Sequence, residues 1–82
     1  MDVVYDTYYT YDEDWRRIKG ENYNEDGKLL YTEEYIYDGQ GNLTHEKSNK
    51  GGELVVYTYD TNMNIILIER YIGDKLVEKT NR

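Results

Sequence analysis

Turn-forming residues recur along this chain every 11 to 14 residues, and this regular spacing limits the possible folds more than any other feature. The side chains of Asp and Asn bond the backbone two residues on, and Gly readily adopts positive φ, so each cluster can reverse the chain. The clusters are Asp12-Glu13-Asp14, Asn24-Glu25-Asp26-Gly27, Asp38-Gly39-Gln40-Gly41-Asn42, Asn49-Lys50-Gly51-Gly52, Asp60-Thr61-Asn62-Met63-Asn64 and Gly73-Asp74.

The segments between these turns are rich in Tyr, Thr, Val and Ile, the residues that strands favour, and none of them shows a sustained helical period. They cover residues 3–11, 16–23, 28–37, 43–48, 53–59, 65–72 and 75–80. We therefore predict one all-β domain over residues 1–82. Its expected architecture is an antiparallel meander of about seven short strands, forming a single twisted sheet or a small open barrel or sandwich.

The apolar residues are unevenly placed along the predicted strands. The run 65–68, Ile-Ile-Leu-Ile, is apolar at both parities, which predicts a central strand covered on both faces. The aliphatic residues of the second half are expected to form the core, whereas the acidic first strand suits an exposed edge. The chain has 11 Tyr, one Trp and no Phe, and tyrosine combines an apolar ring with a polar tip. We therefore expect amphipathic sheet faces.

Net charge is -7, and the excess lies in the first half. Residues 1–41 hold 11 acidic and 4 basic side chains together with eight tyrosines, whereas residues 42–82 hold 6 of each sign. Such a surface repels nucleic acid and steers toward a basic protein partner. The chain has no cysteine, and its N-terminus shows no basic and apolar leader. We expect a cytoplasmic protein, of a bacterium or of a host cell if phage-encoded.

A short motif is repeated three times. Tyr35-Ile36-Tyr37-Asp38-Gly39-Gln40-Gly41-Asn42-Leu43 is the clearest copy, and degraded copies begin at Tyr9 and Tyr57. In the degraded copies Trp15 and Met63 replace the turn glycine. The pattern Y-x-Y-D-x-x-G-N-L resembles the YD repeat of Rhs-type proteins, whose hairpins wind into long β shells. The resemblance covers most of the chain and implies repeated β-hairpins, although 82 residues are too few for a shell.

The residue patterns expected of enzymes and metal sites are incomplete. Asp60-Thr61-Asn62-Met63-Asn64 begins like a calcium loop, but Ile65 and Tyr71 stand where Gly and Glu are required, so a β-turn is the better interpretation. His45 and Ser48 are three apart in a strand and are expected on opposite faces. Paired glutamates such as Glu33-Glu34 are expected to form a solvated face. We predict a non-enzymatic protein with no metal and no cofactor.

The basic cluster Arg16-Arg17-x-Lys19 is flanked by carboxylates, which predicts cross-strand ion pairs.

Tyrosine and tryptophan carry much of the binding energy at protein interfaces, so the first half of the chain is the expected contact surface. One hypothesis is a β-sheet module that contacts a partner protein or a second copy of itself. The alternative is a small acidic inhibitor, of the phage antidefence (anti-CRISPR) or toxin-immunity type, that mimics nucleic acid and blocks a basic groove. The predicted contact residues are Tyr5, Asp6, Tyr8, Tyr9, Tyr11, Asp14, Trp15, Glu33 and Tyr35.

Overall fold

The computed structural model describes residues 3–82, which form one antiparallel sheet of seven strands in sequential order. The strands are β1 (Asp6–Tyr11), β2 (Arg17–Tyr23), β3 (Leu29–Tyr37), β4 (Leu43–Ser48), β5 (Glu53–Tyr59), β6 (Ile65–Ile72) and β7 (Lys75–Asn81). The all-β meander is confirmed in its single-sheet form, because β1 and β7 are the two edges and the sheet is not closed. Residues 3–82 contain no helix long and apolar enough to cross a bilayer.

Four of the six connections are the same five-residue loop. In each, the side-chain oxygen of the first residue accepts hydrogen bonds from the backbone N–H groups two and four residues on. The fourth residue adopts positive φ, as the αL residue that follows a type I turn in hairpins does. The four loops are Asp12–Arg16, Asn24–Lys28, Asp38–Asn42 and Asp60–Asn64. The turn interpretation of Asp60–Asn64 is therefore confirmed by its hydrogen bonds.

A register shift accompanies each of these loops. The shift falls at the tyrosine that ends the preceding strand, at Tyr11, Tyr23, Tyr37 and Tyr59, and a similar shift at Tyr71 precedes the turn at Gly73. Because each shift places an extra residue on the partner strand, it strengthens the local twist and changes which face the following side chains occupy.

The sheet has no buried apolar core within the described residues. No hydrophobic side chain of residues 3–82 is buried, and the only buried polar side chain is that of Asn22, 4% exposed. Cα extents of 46 × 33 × 17 Å agree with a single layer. The expectation of an aliphatic core in the second half is therefore wrong.

The prediction of a covered central strand at residues 65–68 is also wrong. Strand β6 lies next to the edge strand β7, and Ile66 is 40% exposed. Ile66 is the extra residue of the register shift, because Tyr59 pairs with Ile65 and Thr58 pairs with Leu67. A continuous apolar run at a bulge therefore does not require cover on both faces. The expected position of the first strand at an edge is confirmed.

Candidate protein-binding surface

The tyrosines are distributed unequally between the two faces of the sheet. Residues paired across strands point to the same face, and successive residues alternate. The tyrosine face carries seven phenol rings, and the opposite face carries Tyr8, Tyr23 and Tyr71 together with Leu54 and Val56. The rings of the tyrosine face belong to Tyr9, Tyr11, Tyr31, Tyr35, Tyr37, Tyr57 and Tyr59.

Two of these rings are fixed in equivalent positions by the repeat. The Tyr37 hydroxyl donates to the carbonyl oxygen of Arg17 at 2.8 Å, and the Tyr59 hydroxyl donates to that of Leu43 at 2.7 Å. In both cases the acceptor is the first residue of the preceding strand, so the phenol ties one hairpin to the one before it. The repeated sequence motif therefore produces a repeated contact as well as a repeated turn.

A polar network occupies the first part of the tyrosine face. The Asn22 amide donates to Glu33 Oε1 at 3.1 Å, and the Thr7 hydroxyl donates to Asn22 Oδ1 at 2.8 Å. The Tyr35 hydroxyl donates to Glu33 Oε2 at 3.3 Å. Gly20 lies between these side chains, and the Tyr9 ring covers it at 3.2 Å from where a Cβ would stand. Asn22 is therefore buried, and both its amide oxygen and its amide nitrogen have hydrogen-bond partners.

Tyr57 and Glu46 form a second polar contact on this face. The Tyr57 hydroxyl donates to Glu46 Oε1 at 3.0 Å. Burial, with the neighbouring Glu46 carboxylate, raises the pKa of Tyr57 to about 12. Both effects disfavour the phenolate, so Tyr57 remains a neutral hydrogen-bond donor across the ordinary pH range.

The basic cluster does not form the predicted cross-strand ion pairs, and that expectation is wrong for both arginines. Arg16 pairs within its own loop, with Asp12 at 2.9 Å and Asp14 at 3.0 Å. The guanidinium of Arg17 lies over the Tyr9 ring at 4.0 Å and over the Tyr35 ring at 5.7 Å. Guanidinium groups are weakly hydrated and stack on ring faces, which explains why tyrosines hold Arg17 where carboxylates were expected.

The loops at one end of the sheet present two exposed apolar side chains in a strained conformation. Trp15 has φ 63° and is 83% exposed, and Met63 has φ 66° and is 52% exposed. Gly41 occupies the same place in the loop between β3 and β4, with φ 89°. The left-handed region is unfavourable for residues with a side chain, by about 1–2 kcal/mol. The burial of the two side chains does not account for that cost.

An open groove of about 450 Å³ lies where the Trp15 loop meets the tyrosine face. Aromatic rings and arginine stems form most of its wall, and Glu46 lies among the lining residues. The lining residues are Tyr11, Trp15, Arg16, Arg17, Tyr35, Tyr37, Leu43 and Glu46.

The carboxylates are spread over the loops and both faces. Asp12, Asp38 and Asp60 each begin a five-residue loop, and backbone hydrogen bonds lower the pKa of all three. These three carboxylates therefore stabilise the loops through hydrogen bonds with backbone N–H groups. On the tyrosine face, Glu33, Glu46 and Glu53 accept hydrogen bonds from neighbouring side chains. Glu13 and Asp14, in the Trp15 loop, are exposed.

The structure brings together some of the predicted contact residues and separates others. Tyr9, Tyr11, Glu33 and Tyr35 share the tyrosine face, and Asp14 and Trp15 lie in the loop at its end. Asp6 and Tyr8 lie on the opposite face, where the Tyr8 ring meets Tyr23 edge-on at 5.6 Å. Tyr5 precedes β1, and its N–H donates to the carbonyl of Tyr23.

Sequence reasoning missed five members of this surface, which are Arg17, Tyr31, Tyr37, Tyr57 and Tyr59. The two-residue period within 28–37 could have placed Tyr31 and Tyr37 with Tyr35, and that within 53–59 could have placed Tyr57 with Tyr59, but the face shared by the two strands depends on register. Arg17 could not be placed, because the register shift between Thr10 and Tyr11 reverses the expected alternation in β2.

The strand pairing fixes the relative positions of His45 and Ser48. His45 pairs with Val56 and Ser48 pairs with Glu53, so the two lie on opposite faces as predicted. Within residues 3–82 no group of three or more His, Cys, Asp or Glu side chains could hold a metal ion.

Comparisons with protein-family models, with curated proteins and with solved structures find no match to this chain.

Proposed function

We propose that this chain is a non-enzymatic protein-binding β-sheet module whose tyrosine face contacts a partner protein or a second copy. The observation that carries the proposal is the absence of any buried apolar side chain among residues 3–82. Burial of apolar surface is the main favourable term in folding, at about 25 cal/mol per Å². A single sheet with both faces in water gains little of this energy, so covering one face with another protein stabilises the fold as well as the complex.

The tyrosine face suits such a contact better than the opposite face. Tyr37 and Tyr59 are anchored through their hydroxyls, so their rings lose little further freedom on binding. A typical stable interface buries roughly 800 Å² per partner. A sheet of 46 × 33 Å offers a face large enough for that area.

The inhibitor remains the second candidate because of the loop between β1 and β2. Glu13, Asp14 and Trp15 are exposed side by side there, an arrangement of carboxylates and a ring that fits a basic nucleic-acid groove. The loop carboxylates also support a partner with a basic surface. The module is favoured because the remaining carboxylates do not form one continuous acidic face.

Affinity capture with the full chain and two matched variants tests the proposal. The first variant replaces Tyr9, Tyr11 and Tyr35 with Thr, and the control replaces Tyr8 with Thr on the opposite face. Circular dichroism establishes that both are folded, and any captured protein is purified and titrated by calorimetry. Sedimentation velocity from 1 to 100 μM measures self-association in parallel.

The module predicts a complex, with a second protein or a second copy, that the triple variant loses and the control retains. A complex lost at high salt and equally strong for both variants supports the inhibitor. Binding that is lost only in the Tyr8 variant contradicts the role of the tyrosine face.

A further inference from the structure

Arg17 is the cationic group of the groove that is left free to bind a ligand. No carboxylate oxygen of residues 3–82 lies within 4.0 Å of its guanidinium, whereas Arg16 is occupied by Asp12 and Asp14. The Arg17 guanidinium lies 4.0 Å from the centroid of the Tyr9 ring and 5.7 Å from that of the Tyr35 ring, and a side-chain hydrogen bond with Tyr35 raises the pKa of Arg17. A guanidinium has five N–H donors, so stacking and one contact with Tyr35 leave further N–H groups that can donate to a carboxylate.

Trp15 supplies the second, independent observation. Gly27 and Gly41 occupy its place in two other loops with positive φ, which is the residue type that this conformation favours. Trp15 adopts the same conformation at an energetic cost, and its ring is almost entirely exposed. Strain kept at an exposed position is typical of binding sites. The indole borders the same groove as Arg17.

We propose that this groove binds a carboxylate side chain of a protein partner, with Arg17 pairing with the carboxylate and Trp15 packing on the apolar residue beside it. This rests on the proposed function, since the groove is one end of the tyrosine face. Glu46 lines the groove and accepts a hydrogen bond from Tyr57, so the incoming carboxylate binds at the Arg17 end. The net charge of -7 repels a polyanion, which favours an isolated carboxylate on a protein over a nucleic-acid phosphate backbone.

The test uses fluorescence anisotropy of a labelled peptide with the full chain. The probe is a fluorescein-labelled seven-residue peptide with one central Glu flanked by Tyr and otherwise made of Ser and Gly. Its control has Gln in place of that Glu, and a labelled twelve-nucleotide oligo-thymidine represents phosphate. We expect the Glu peptide to bind at least tenfold more tightly than the Gln peptide and than the oligonucleotide.

Matched variants separate the groove from general effects of charge and strain. Arg17→Gln removes the free guanidinium, and Lys19→Gln removes the same charge two residues away on the opposite face, where Lys19 pairs with Thr10 and Glu34. Trp15→Gly and Met63→Gly both relieve positive φ, but only the first alters the groove. We expect Arg17→Gln to weaken binding at least tenfold and Trp15→Gly at least fivefold, with both controls within twofold of the parent chain.

Three outcomes overturn the inference. Equal binding of the Glu and Gln peptides would show that the groove does not recognise a carboxylate. Tighter binding of the oligonucleotide would show that the groove binds phosphate instead. Equal effects of Arg17→Gln and Lys19→Gln would show that binding depends on net charge and not on Arg17. None of these affects the capture result with the tyrosine-face variants. The failure of the groove is therefore distinguishable from the failure of the binding module.

Discussion

Replacing Trp15 with glycine should make this protein more stable, although tryptophan is the largest side chain of the sequence. The backbone at Trp15 has φ 63°, which is unfavourable by about 1–2 kcal/mol for a residue with a side chain. Glycine removes that cost and adds about 0.5–1 kcal/mol of unfolded-chain entropy. Little contact energy is lost, because the side chain is 83% exposed. The net expectation is a gain of about 0.5–1 kcal/mol.

Thermal unfolding followed by far-ultraviolet circular dichroism measures this gain without relying on the fluorescence of Trp15. For a domain of this size 1 kcal/mol shifts Tm by about 4–8 °C, so Trp15→Gly should raise Tm by about 2–8 °C. Met63→Gly should do the same, since Met63 holds the equivalent position with φ 66°. Gly41→Ala should lower Tm, because the new Cβ meets both an unfavourable φ of 89° and Arg16 Nη1 at 3.2 Å. A Tm lowered by Trp15→Gly would refute the argument from strain.

Three further perturbations test the polar contacts. The pKa values of Asp12, Asp38 and Asp60 are lowered in the fold, so these carboxylates stabilise it fully above their unfolded pKa near 4 and lose that contribution as pH falls through the folded values. Urea unfolding midpoints should therefore fall on acidification. Asp38→Asn should reduce that fall, because Asn keeps the acceptor oxygen, as Asn24 does. Because the pKa of Tyr57 is raised, its contribution to stability is present below pH 10 and is lost as pH rises toward 12. In an absorbance titration at about 295 nm, Tyr57→Phe should remove one phenol that ionises at high pH and leave the phenols that ionise at lower pH unchanged. Asn22→Ala should lower the unfolding free energy by about 1–3 kcal/mol in urea titrations, because Thr7 and Glu33 lose a buried partner, and an unchanged midpoint would contradict the network.

The strands were predictable from the sequence because turn chemistry is local. Segments 43–48, 53–59 and 65–72 match β4, β5 and β6, and the other segments differ by one to three residues at their ends. The Asp or Asn at the first position of each five-residue loop determines where that hairpin reverses, whatever packs against it. The resemblance to YD repeats and the cytoplasmic location stay predictions.

The tertiary features were less predictable, because they depend on register and on what covers each face. The extra residue of each bulge reverses the alternation, which exposes Ile66 and turns Arg17 toward the tyrosine rings. Composition suggested that the aliphatic half forms a core. A core needs two packed layers, however, and residues 3–82 form a single layer. Trp15 and Met63 stand where the repeated motif has glycine, and that substitution was the only sequence signal of their positive φ.

This chain is a single open sheet, and small-angle X-ray scattering of the dilute full chain tests that architecture most directly. The Cα radius of gyration of the sheet is 14.6 Å, whereas a compact domain of this length has a value of about 12 Å. We predict a monomer of at least 14.6 Å at low concentration, with the cross-section of one layer. A monomer near 12 Å would show that the sheet folds onto itself and would contradict the account.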